Sequence, residues 1–215
     1  MQVKAIKTRK FLPPKDNLWD LLSAIKEIKE NSVVAVTSKV VAIGEGRCIP
    51  MAGVMKDELI AKESDKYLPR KIFRNEWTMY TMKNNQLVAA AGIDESNADG
   101  YYILWPENPD LSAEKICKFF KEKFHLKNLG VIITDSRVTP LRRGVLGLSM
   151  SYFGFKPLKD YLGAQQRFAN QTATEVFEYL SRANPGRMCV LVQAGSFEAC
   201  QNIVANIMDR EGNAT

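Results

Sequence analysis

The chain has 215 residues, 46% of them hydrophobic and 25% charged, with a net charge of +6 at pH 7, a composition typical of a globular protein with a substantial core. No apolar run approaches the roughly 20 residues that a membrane helix needs, and the first residues lack the apolar block of a secretory signal, so we expect a cytoplasmic protein without a membrane partner. Acidic residues interrupt the basic ones along helix-like stretches, which argues against a nucleic-acid-binding surface.

Hydrophobic periodicity in the first part of the chain predicts an alternation of strands and helices. Runs of β-branched or alternating apolar residues predict strands, and apolar residues three and four apart predict helices. The predicted elements are a strand over residues 3–7, a helix from Leu18 past Ile28 to near Asn31, a buried strand over 32–37 that stops at Ser38-Lys39, a glycine-rich turn over 44–47 and a helix over 56–67.

A β-hairpin is predicted in the middle of the chain. Residues 77–82 and 86–91 flank the turn Lys83-Asn84-Asn85, and the second run leads into Gly92-Ile93-Asp94. The elements that follow are a strand over 101–105, a helix capped by Ser112 with an apolar face of Ile116, Phe119, Phe120 and Phe124, and an apolar strand over 129–134 that leads into Asp135.

The last third continues the mixture of strands and helices. Residues 144–152 are predicted as a strand, Thr172 and Glu175 form a capping box, and a strand over 188–192 precedes a helix over 196–208. Because hairpins and helices are mixed without regular βαβ repetition, the sequence predicts an α+β fold with mixed sheets and packed helices.

The spacing of cysteine and histidine excludes several kinds of site. The four cysteines, Cys48, Cys117, Cys189 and Cys200, lie far apart without a Cys-x-x-Cys pair, so we expect buried, reduced thiols rather than disulfides or a zinc site. The only histidine, His125, falls at the polar end of the helix predicted from Ser112, which makes a catalytic triad or a histidine-based metal site improbable.

Two acidic residues, Asp94 and Asp135, each follow an apolar strand and precede small polar residues. A carboxylate at a strand end loses solvation unless it accepts hydrogen bonds or binds a cation. With Ser96, Asn97 and Ser136 nearby, the pair offers an all-oxygen ligand set, which suits Mg²⁺ or Mn²⁺. The alternative interpretation is that Asp94 begins an Asx turn and that Asp135 caps a loop.

Basic residues near these segments are candidates for binding an anionic substrate. Arg142 and Arg143 follow Asp135 by seven and eight positions, and a guanidinium binds phosphate or carboxylate through two hydrogen bonds. Lys39, at a predicted strand end, can also reach a phosphate. The alternatives are a surface salt bridge for the arginines and a solvated side chain for the lysine. The chain contains neither a Walker A sequence nor Gly-x-Gly-x-x-Gly.

Five motifs occur in a fixed order along about residues 3–163. They are Thr37-Ser38-Lys39-Val40-Val41 with Glu45-Gly46-Arg47, Ala91-Gly92-Ile93-Asp94-x-Ser96-Asn97, Pro109-Asp110-x-Ser112-Ala113, Val131-Ile132-Ile133-Thr134-Asp135-Ser136, and Pro140-x-Arg142-x-Gly144. In this order they resemble the coenzyme F420-0:γ-glutamyl ligase family, and most closely its branch labelled putative folate-metabolism γ-glutamate ligases.

The resemblance implies a GTP- or ATP-dependent ligase that joins the amine of glutamate to a carboxylate of a folate- or F420-type acceptor through an acyl phosphate. It also implies Mn²⁺ or Mg²⁺, GTP as co-substrate, and an intertwined homodimer. The residues assigned by matching motifs are Asp94, Asp135 and Ser136 for metal, and Ser38, Lys39, Asn97 and the turn Leu12-Pro13-Pro14-Lys15 for nucleotide; Arg142 stays the candidate anchor for a substrate anion.

The C-terminal part departs from the family pattern. Residues 166–170, Gln-Arg-Phe-Ala-Asn, stand where the family has Asp-x-Phe-Gly-Arg, and the glycine-rich acidic segment that follows in the family has no evident equivalent. We therefore expect two regions, a metal- and nucleotide-binding region over 1–163 and a divergent part over 164–215 that packs on the same body. A catalytically altered member that binds metal and nucleotide or cofactor without ligation is the second hypothesis.

Overall fold

The structure is a computed structural model that describes residues 2–72, 78–96, 98–138, 145–157 and 189–193. Its α-helices are α1 (Leu18–Ser23), α2 (Ser38–Glu45), α3 (Lys56–Glu63) and α4 (Pro109–Phe124). Its strands are β1 (Gln2–Ala5), β2 (Ser32–Thr37), β3 (Cys48–Pro50), β4 (Lys66–Leu68), β5 (Tyr80–Lys83), β6 (Gln86–Ala89), β7 (Tyr101–Ile103), β8 (Leu129–Arg137), β9 (Leu146–Phe153) and β10 (Cys189–Gln193). The fold is α+β with mixed sheets, as the sequence predicts.

A five-stranded sheet in the order β1-β10-β2-β8-β9 forms the centre of the molecule. Its only parallel pair among the described strands is β2 with β8, which runs from Ser32 opposite Leu129 to Thr37 opposite Thr134. Both strands are almost entirely buried, as parallel strands covered by helices must be. The carboxyl ends of β2 and β8 therefore open at the same edge of the sheet.

Helix α4 covers this sheet with an apolar face. Ile116 and Phe120 have no exposed surface, and they belong to one core cluster with residues of α1, α2, β2 and β8. Phe119 and Phe124 are partly buried and pack against that cluster, with the ring of Phe119 5.4 Å from the ring of Trp19. The predicted helix and its apolar face are confirmed, with Phe119 at the margin of the core.

The predicted hairpin is formed by β5 and β6, to which β4 adds a third strand. Its turn residues Asn84 and Asn85 both have positive φ angles, 50° and 59°. Asparagine tolerates this backbone conformation, which the tight turns of hairpins require. Strands β3 and β7, which precede and follow the hairpin in the sequence, form a separate two-stranded antiparallel sheet.

The first predicted helix is shorter than its apolar periodicity indicates. Helix α1 ends at Ser23, and Asn31 has a positive φ of 58°. Ile25 and Ile28 nevertheless lie buried in the same core as the helix. The prediction of a helix to Asn31 was wrong, because Ile25 and Ile28 are apolar in order to fill the core from an irregular segment and not from a helix.

Residues 38–45 form a helix where the end of a strand and a turn were predicted. Thr37 is the N-cap of α2, and Gly46 ends the helix with a left-handed φ of 74°. Valine and isoleucine favour strands, but here Val40, Val41 and Ile43 are buried, and tertiary packing overrides that preference. Ser38 and Lys39 thus lie in the first turn of a helix.

Two other helix boundaries differ from the prediction. Helix α3 ends at Glu63 because residues 66–68 pair with β5 as a strand. The N-cap of α4 is Asn108, whose side chain accepts a hydrogen bond from the backbone N–H of Leu111 at 2.9 Å. Ser112, the predicted cap, instead donates its hydroxyl to Oε1 of Glu45 at 2.7 Å. The capping signal was therefore assigned too far along the chain.

Several strands are confirmed within a few residues, including the predicted run over 188–192, which becomes β10. The helices predicted around Thr172 and over 196–208 lie outside the described residues. Cys48 and Cys117 are buried free thiols, as expected, and His125 caps the carboxyl end of α4. Of the helices that the structure describes, none is long and apolar enough to cross a membrane.

The side chains of Arg47, Glu63 and Lys83 form an ion-pair network that joins α3 to the hairpin. Arg47 and Lys83 each place a nitrogen 2.8 Å from Oε2 of Glu63, whose side chain is 15% exposed. Burial raises the pKa of Glu63, but the hydrogen bonds and charges of Lys83 and Arg47 outweigh burial and lower the pKa overall. Arg47 also donates from Nε to the carbonyl oxygen of Trp105 at 3.2 Å.

We expect Phe120→Ala to lower the free energy of unfolding by about 3–5 kcal/mol, because it removes a fully buried ring from the core. Phe119→Ala is the matched control, and its partly exposed ring should cost about 1–2 kcal/mol. Urea titrations of both variants provide the measurement. Equal losses would contradict the orientation of α4 described above.

We expect Glu63→Gln to lower the free energy of unfolding at pH 7 by about 1–3 kcal/mol, because two cations lose their charged partner. A folded-state pKa below the unfolded value of about 4.3 means that this contribution is present above the unfolded pKa and is lost as the pH falls through the folded pKa. The deficit of the variant should therefore shrink as the pH falls below the unfolded pKa and through the folded pKa of Glu63 in urea titrations.

The control for this experiment is Glu58→Gln, at an exposed position of the same helix. Its effect should stay within about 0.5 kcal/mol at every pH. A deficit for Glu63→Gln that does not change with pH would be evidence against the ion-pair network.

Candidate functional site

The parallel pairing of β2 and β8 brings two of the sequence motifs together. Thr37 and Thr134 lie opposite each other, so the residues that follow them emerge side by side at one edge of the sheet. In open sheets this carboxyl edge is where ligands bind. Ser38 and Lys39 begin α2 there, and Asp135 lies within β8 rather than beyond its end as predicted.

The carboxylate of Asp135 is buried and accepts hydrogen bonds on both of its oxygens. Its Oδ2 accepts from Nε1 of Trp105 at 2.5 Å, and its Oδ1 accepts from the backbone N–H of Ser136 at 2.8 Å. Burial raises the pKa of Asp135 to about 6. Hydrogen bonds from Ser136, Trp105 and Ser38 and the charge of Lys39 lower the pKa, but burial has the larger effect. A carboxylate held in this way gains from a nearby cation.

A left-handed turn delivers Asp94 to the same region. Ala90, Ala91 and Gly92 have φ angles of 52°, 53° and 71°, and an alanine in this conformation costs on the order of 1 kcal/mol. Thr81 supports the turn by accepting the backbone N–H of Ala91 at 2.9 Å through its hydroxyl oxygen. Such strain persists only where the surrounding structure imposes it, and it is common at functional sites.

Asp94 is held by its own segment and by Lys39. Its Oδ1 accepts from the backbone N–H and the hydroxyl of Ser96 at 2.7 and 2.8 Å, which is the Asx turn that the alternative interpretation predicts. Its Oδ2 forms an ion pair with Nζ of Lys39, which lies 3.5 Å from the Ser96 hydroxyl. Burial lowers the pKa of Lys39, and the charge of Asp135 acts in the opposite direction. One ammonium group therefore interacts with both carboxylates.

The arrangement fits a hard divalent cation that shares its coordination with a substrate. The ammonium of Lys39 already pairs with Asp94 and interacts with the charge of Asp135, and the Ser96 hydroxyl lies beside Asp94. Within the described part of the chain, no three His, Cys, Asp or Glu residues gather into a complete protein ligand set. Mg²⁺ and Mn²⁺ are commonly held by one or two carboxylates together with water and substrate phosphates.

The predicted nucleotide turn lies at the other end of α2. The side chain of Lys15 packs over Gly46, at the C-terminal cap of that helix, whereas Lys39 lies in its first turn. A helix of eight residues is about 12 Å long, so the structure does not bring the turn Leu12-Pro13-Pro14-Lys15 into contact with Lys39. Lys15 instead lines a cavity of about 530 Å³ between α1, α2 and α4. Asn97 and Arg142 lie outside the described residues.

Trp105 is the residue of this site that the sequence interpretation missed. It was assigned only to the end of a predicted strand, whereas its indole N–H contacts Asp135, 30 positions later in the chain. A buried tryptophan needs an acceptor for its N–H, and that need was the one available signal. Two motif residues are structural instead: Glu45 accepts from Ser112, and Arg47 pairs with Glu63.

Comparison with known proteins identifies the family of the chain. The sequence matches the family described as F420-0:Gamma-glutamyl ligase over residues 11–200. The Coenzyme F420:L-glutamate ligase of Methanopyrus kandleri is 27% identical over 189 residues, which are 80% of this chain and 73% of that protein. The protein of the same name from Methanosarcina mazei is 29% identical over 167 residues, 71% of this chain and 65% of that protein.

A shorter match has higher identity. The Coenzyme F420:L-glutamate ligase of Methanocaldococcus jannaschii is 39% identical over 92 residues, 43% of this chain and 36% of that protein. The family match covers most of this chain, and it contains the segments that carry Lys39, Asp94 and Asp135. The chain therefore belongs to the F420-0:gamma-glutamyl ligase family.

Proposed function

We propose that this protein is a nucleotide-dependent γ-glutamyl ligase, which uses GTP or ATP to join glutamate to a carboxylate of a folate- or F420-type acceptor. The observation that carries the proposal is the grouping of Asp94 and Asp135 around Lys39. The names of the relatives, all ligases of glutamate, support the reaction class. The acceptor follows from the sequence resemblance alone.

We propose that Asp94 and Asp135 hold a Mn²⁺ or Mg²⁺ ion and that Ser136 lies at a second one. When bound, such an ion neutralises the negative charge that develops on phosphate oxygens during transfer. The buried setting of Asp135 supports this role, because a cation favours the ionised carboxylate that burial disfavours. GTP is the co-substrate that the family resemblance favours.

In this proposal Lys39 exchanges its carboxylate partner for a phosphate oxygen when the nucleotide arrives. Its amine is already held at the carboxyl edge of the sheet by Asp94. Ser38 and Lys39 also lie in the first turn of α2, where backbone N–H groups without helical partners favour anions. These features give the proposed phosphate site both a mobile cation and fixed donors.

The proposed reaction needs no protein nucleophile. The γ-phosphoryl group passes to a carboxylate oxygen of the acceptor, which forms an acyl phosphate and releases the nucleoside diphosphate. The amine of glutamate then attacks the acyl carbon, inorganic phosphate leaves with the electron pair of the carbon–oxygen bond, and the amine proton passes to solvent. The chain's contribution is positioning and charge stabilisation, as in other phosphoryl transfers.

The second candidate is a family member that binds metal and nucleotide without ligation. The departures in residues 166–170 favour it, because the family pattern there includes an acid and a Gly-Arg pair that this chain lacks. Both candidates use the same carboxylates, so measurements of binding alone do not distinguish them. Measurement of turnover distinguishes them.

We expect the purified protein with Mn²⁺, GTP or ATP, glutamate and a panel of pterin and flavin carboxylates to release nucleoside diphosphate only when glutamate and a suitable acceptor are both present. The measurement is nucleotide chromatography together with mass detection of the amide product. Nucleotide binding without release under any combination would support the second candidate and exclude ligation.

We expect Asp94→Asn and Asp135→Asn each to weaken Mn²⁺-dependent GTP binding by at least 100-fold, because each removes a charged ligand from a two-carboxylate site. Calorimetric titrations measure the binding, and thermal unfolding shows whether each variant is folded. The matched control is Asp57→Asn on α3, which breaks an exposed ion pair between Asp57 and Arg70 and should leave GTP binding unchanged. Folded variants that bind Mn²⁺ and GTP normally would refute the proposed metal site.

A further inference from the structure

Trp105 lies between the two segments that carry the acidic residues. It follows β7, its side chain is 1% exposed, and its indole N–H donates to Oδ2 of Asp135 at 2.5 Å. Gly92 also lies against the indole, since a Cβ added to that glycine would be 1.9 Å from Nε1. Gly92 precedes Asp94 by two positions. One side chain thus contacts both halves of the candidate site.

The backbone and the ring of Trp105 each lie against a cation. Nε of Arg47 donates to the backbone carbonyl of Trp105, and the ammonium of Lys83 lies 5.9 Å from the centre of the ring. Both of these cations are bound in turn by Glu63. A side chain fixed in this way presents its N–H in one direction.

The hydrogen bonds of Asp135 leave it able to bind a cation in a defined orientation. An ionised carboxylate offers about four acceptor positions, and Trp105 and Ser136 each use one on a different oxygen. Ser38 also donates a hydrogen bond to Asp135, and with donors on both oxygens any rotation of the carboxylate breaks a hydrogen bond. Residues that bind a metal ligand in this manner commonly set its orientation and the affinity for the metal.

We propose that Trp105 is a positioning residue, whose indole N–H orients the Asp135 carboxylate and whose ring sets the separation between Asp135 and the Asp94 segment so that both carboxylates face one cation. This inference rests on the proposed function, because it assigns Trp105 a role in the same cation site. The alternative is that Trp105 only fills the core between the hairpin and the sheet.

The test compares Trp105→Phe with the natural chain. Phenylalanine keeps most of the ring and removes the N–H, so a role in orienting Asp135 is expected to weaken Mn²⁺ binding by about 10- to 100-fold in calorimetric titrations. Val88→Ala is the matched control, because it removes volume from the same buried cluster and leaves the N–H in place. It should lower thermal stability without changing the affinity for Mn²⁺. Equal losses of Mn²⁺ affinity in the two variants would show that Trp105 only fills the core and does not orient Asp135.

A spectroscopic readout tests the hydrogen bond independently of affinity. In ¹⁵N-labelled protein, the indole resonance that disappears in Trp105→Phe belongs to Trp105, and Asp135→Asn should move it. Addition of Mg²⁺ should also move it, while the resonance of Trp19, which is 40% exposed on α1, should stay in place. A Trp105 resonance that responds to neither change would overturn the proposal.

Failure of the metal site and failure of the positioning role give different results. If the natural chain binds Mn²⁺, Asp135→Asn does not, and Trp105→Phe binds as the natural chain does, then the positioning role is wrong and the metal site stands. If the natural chain itself binds no Mn²⁺, the metal site and the role of Trp105 are both wrong.

Discussion

The parallel pairing of β2 with β8 is the constraint on which the site depends. Its register fixes Thr37 opposite Thr134, and the next residues of each strand therefore meet at one sheet edge. Because side chains alternate along a strand, a slip of one residue would turn Asp135 toward the opposite face. The buried apolar residues of both strands and the cover of α4 oppose that slip. Hydrophobic burial thus determines where the charged groups lie.

Charge compensation explains how the buried Asp135 and the partly exposed Asp94 are tolerated at that edge. Lys39 pairs with Asp94 and interacts with the charge of Asp135, so neither carboxylate faces the interior without a cation or a donor. The left-handed turn at Ala90 and Ala91 adds local strain, which the hydroxyl of Thr81 helps to hold. The carboxylates and their hydrogen-bond donors are therefore in place before a ligand binds.

Local sequence patterns predicted much of the fold and the identity of the acidic residues, whereas long-range packing decided the rest. The β-branched run of β2, the hairpin and the apolar strand of β8 carry strong local signals. Helix α2 does not, since valine and isoleucine in its first turns resemble a strand until tertiary burial is known. The contact of Trp105 with Asp135 joins residues 30 positions apart and leaves no periodic trace. The order of the motifs, matched to one family, is what predicted that Ser38, Lys39, Asp94 and Asp135 belong to one site.

A crystal structure grown with Mn²⁺ and GTP is the decisive measurement for the metal site, because anomalous scattering locates the ion. We expect an ion coordinated by Asp94 and Asp135 and by oxygens of the nucleotide, with Lys39 moved from Asp94 to a phosphate. An ion bound elsewhere, with the Lys39–Asp94 ion pair intact beside an occupied nucleotide, would contradict it.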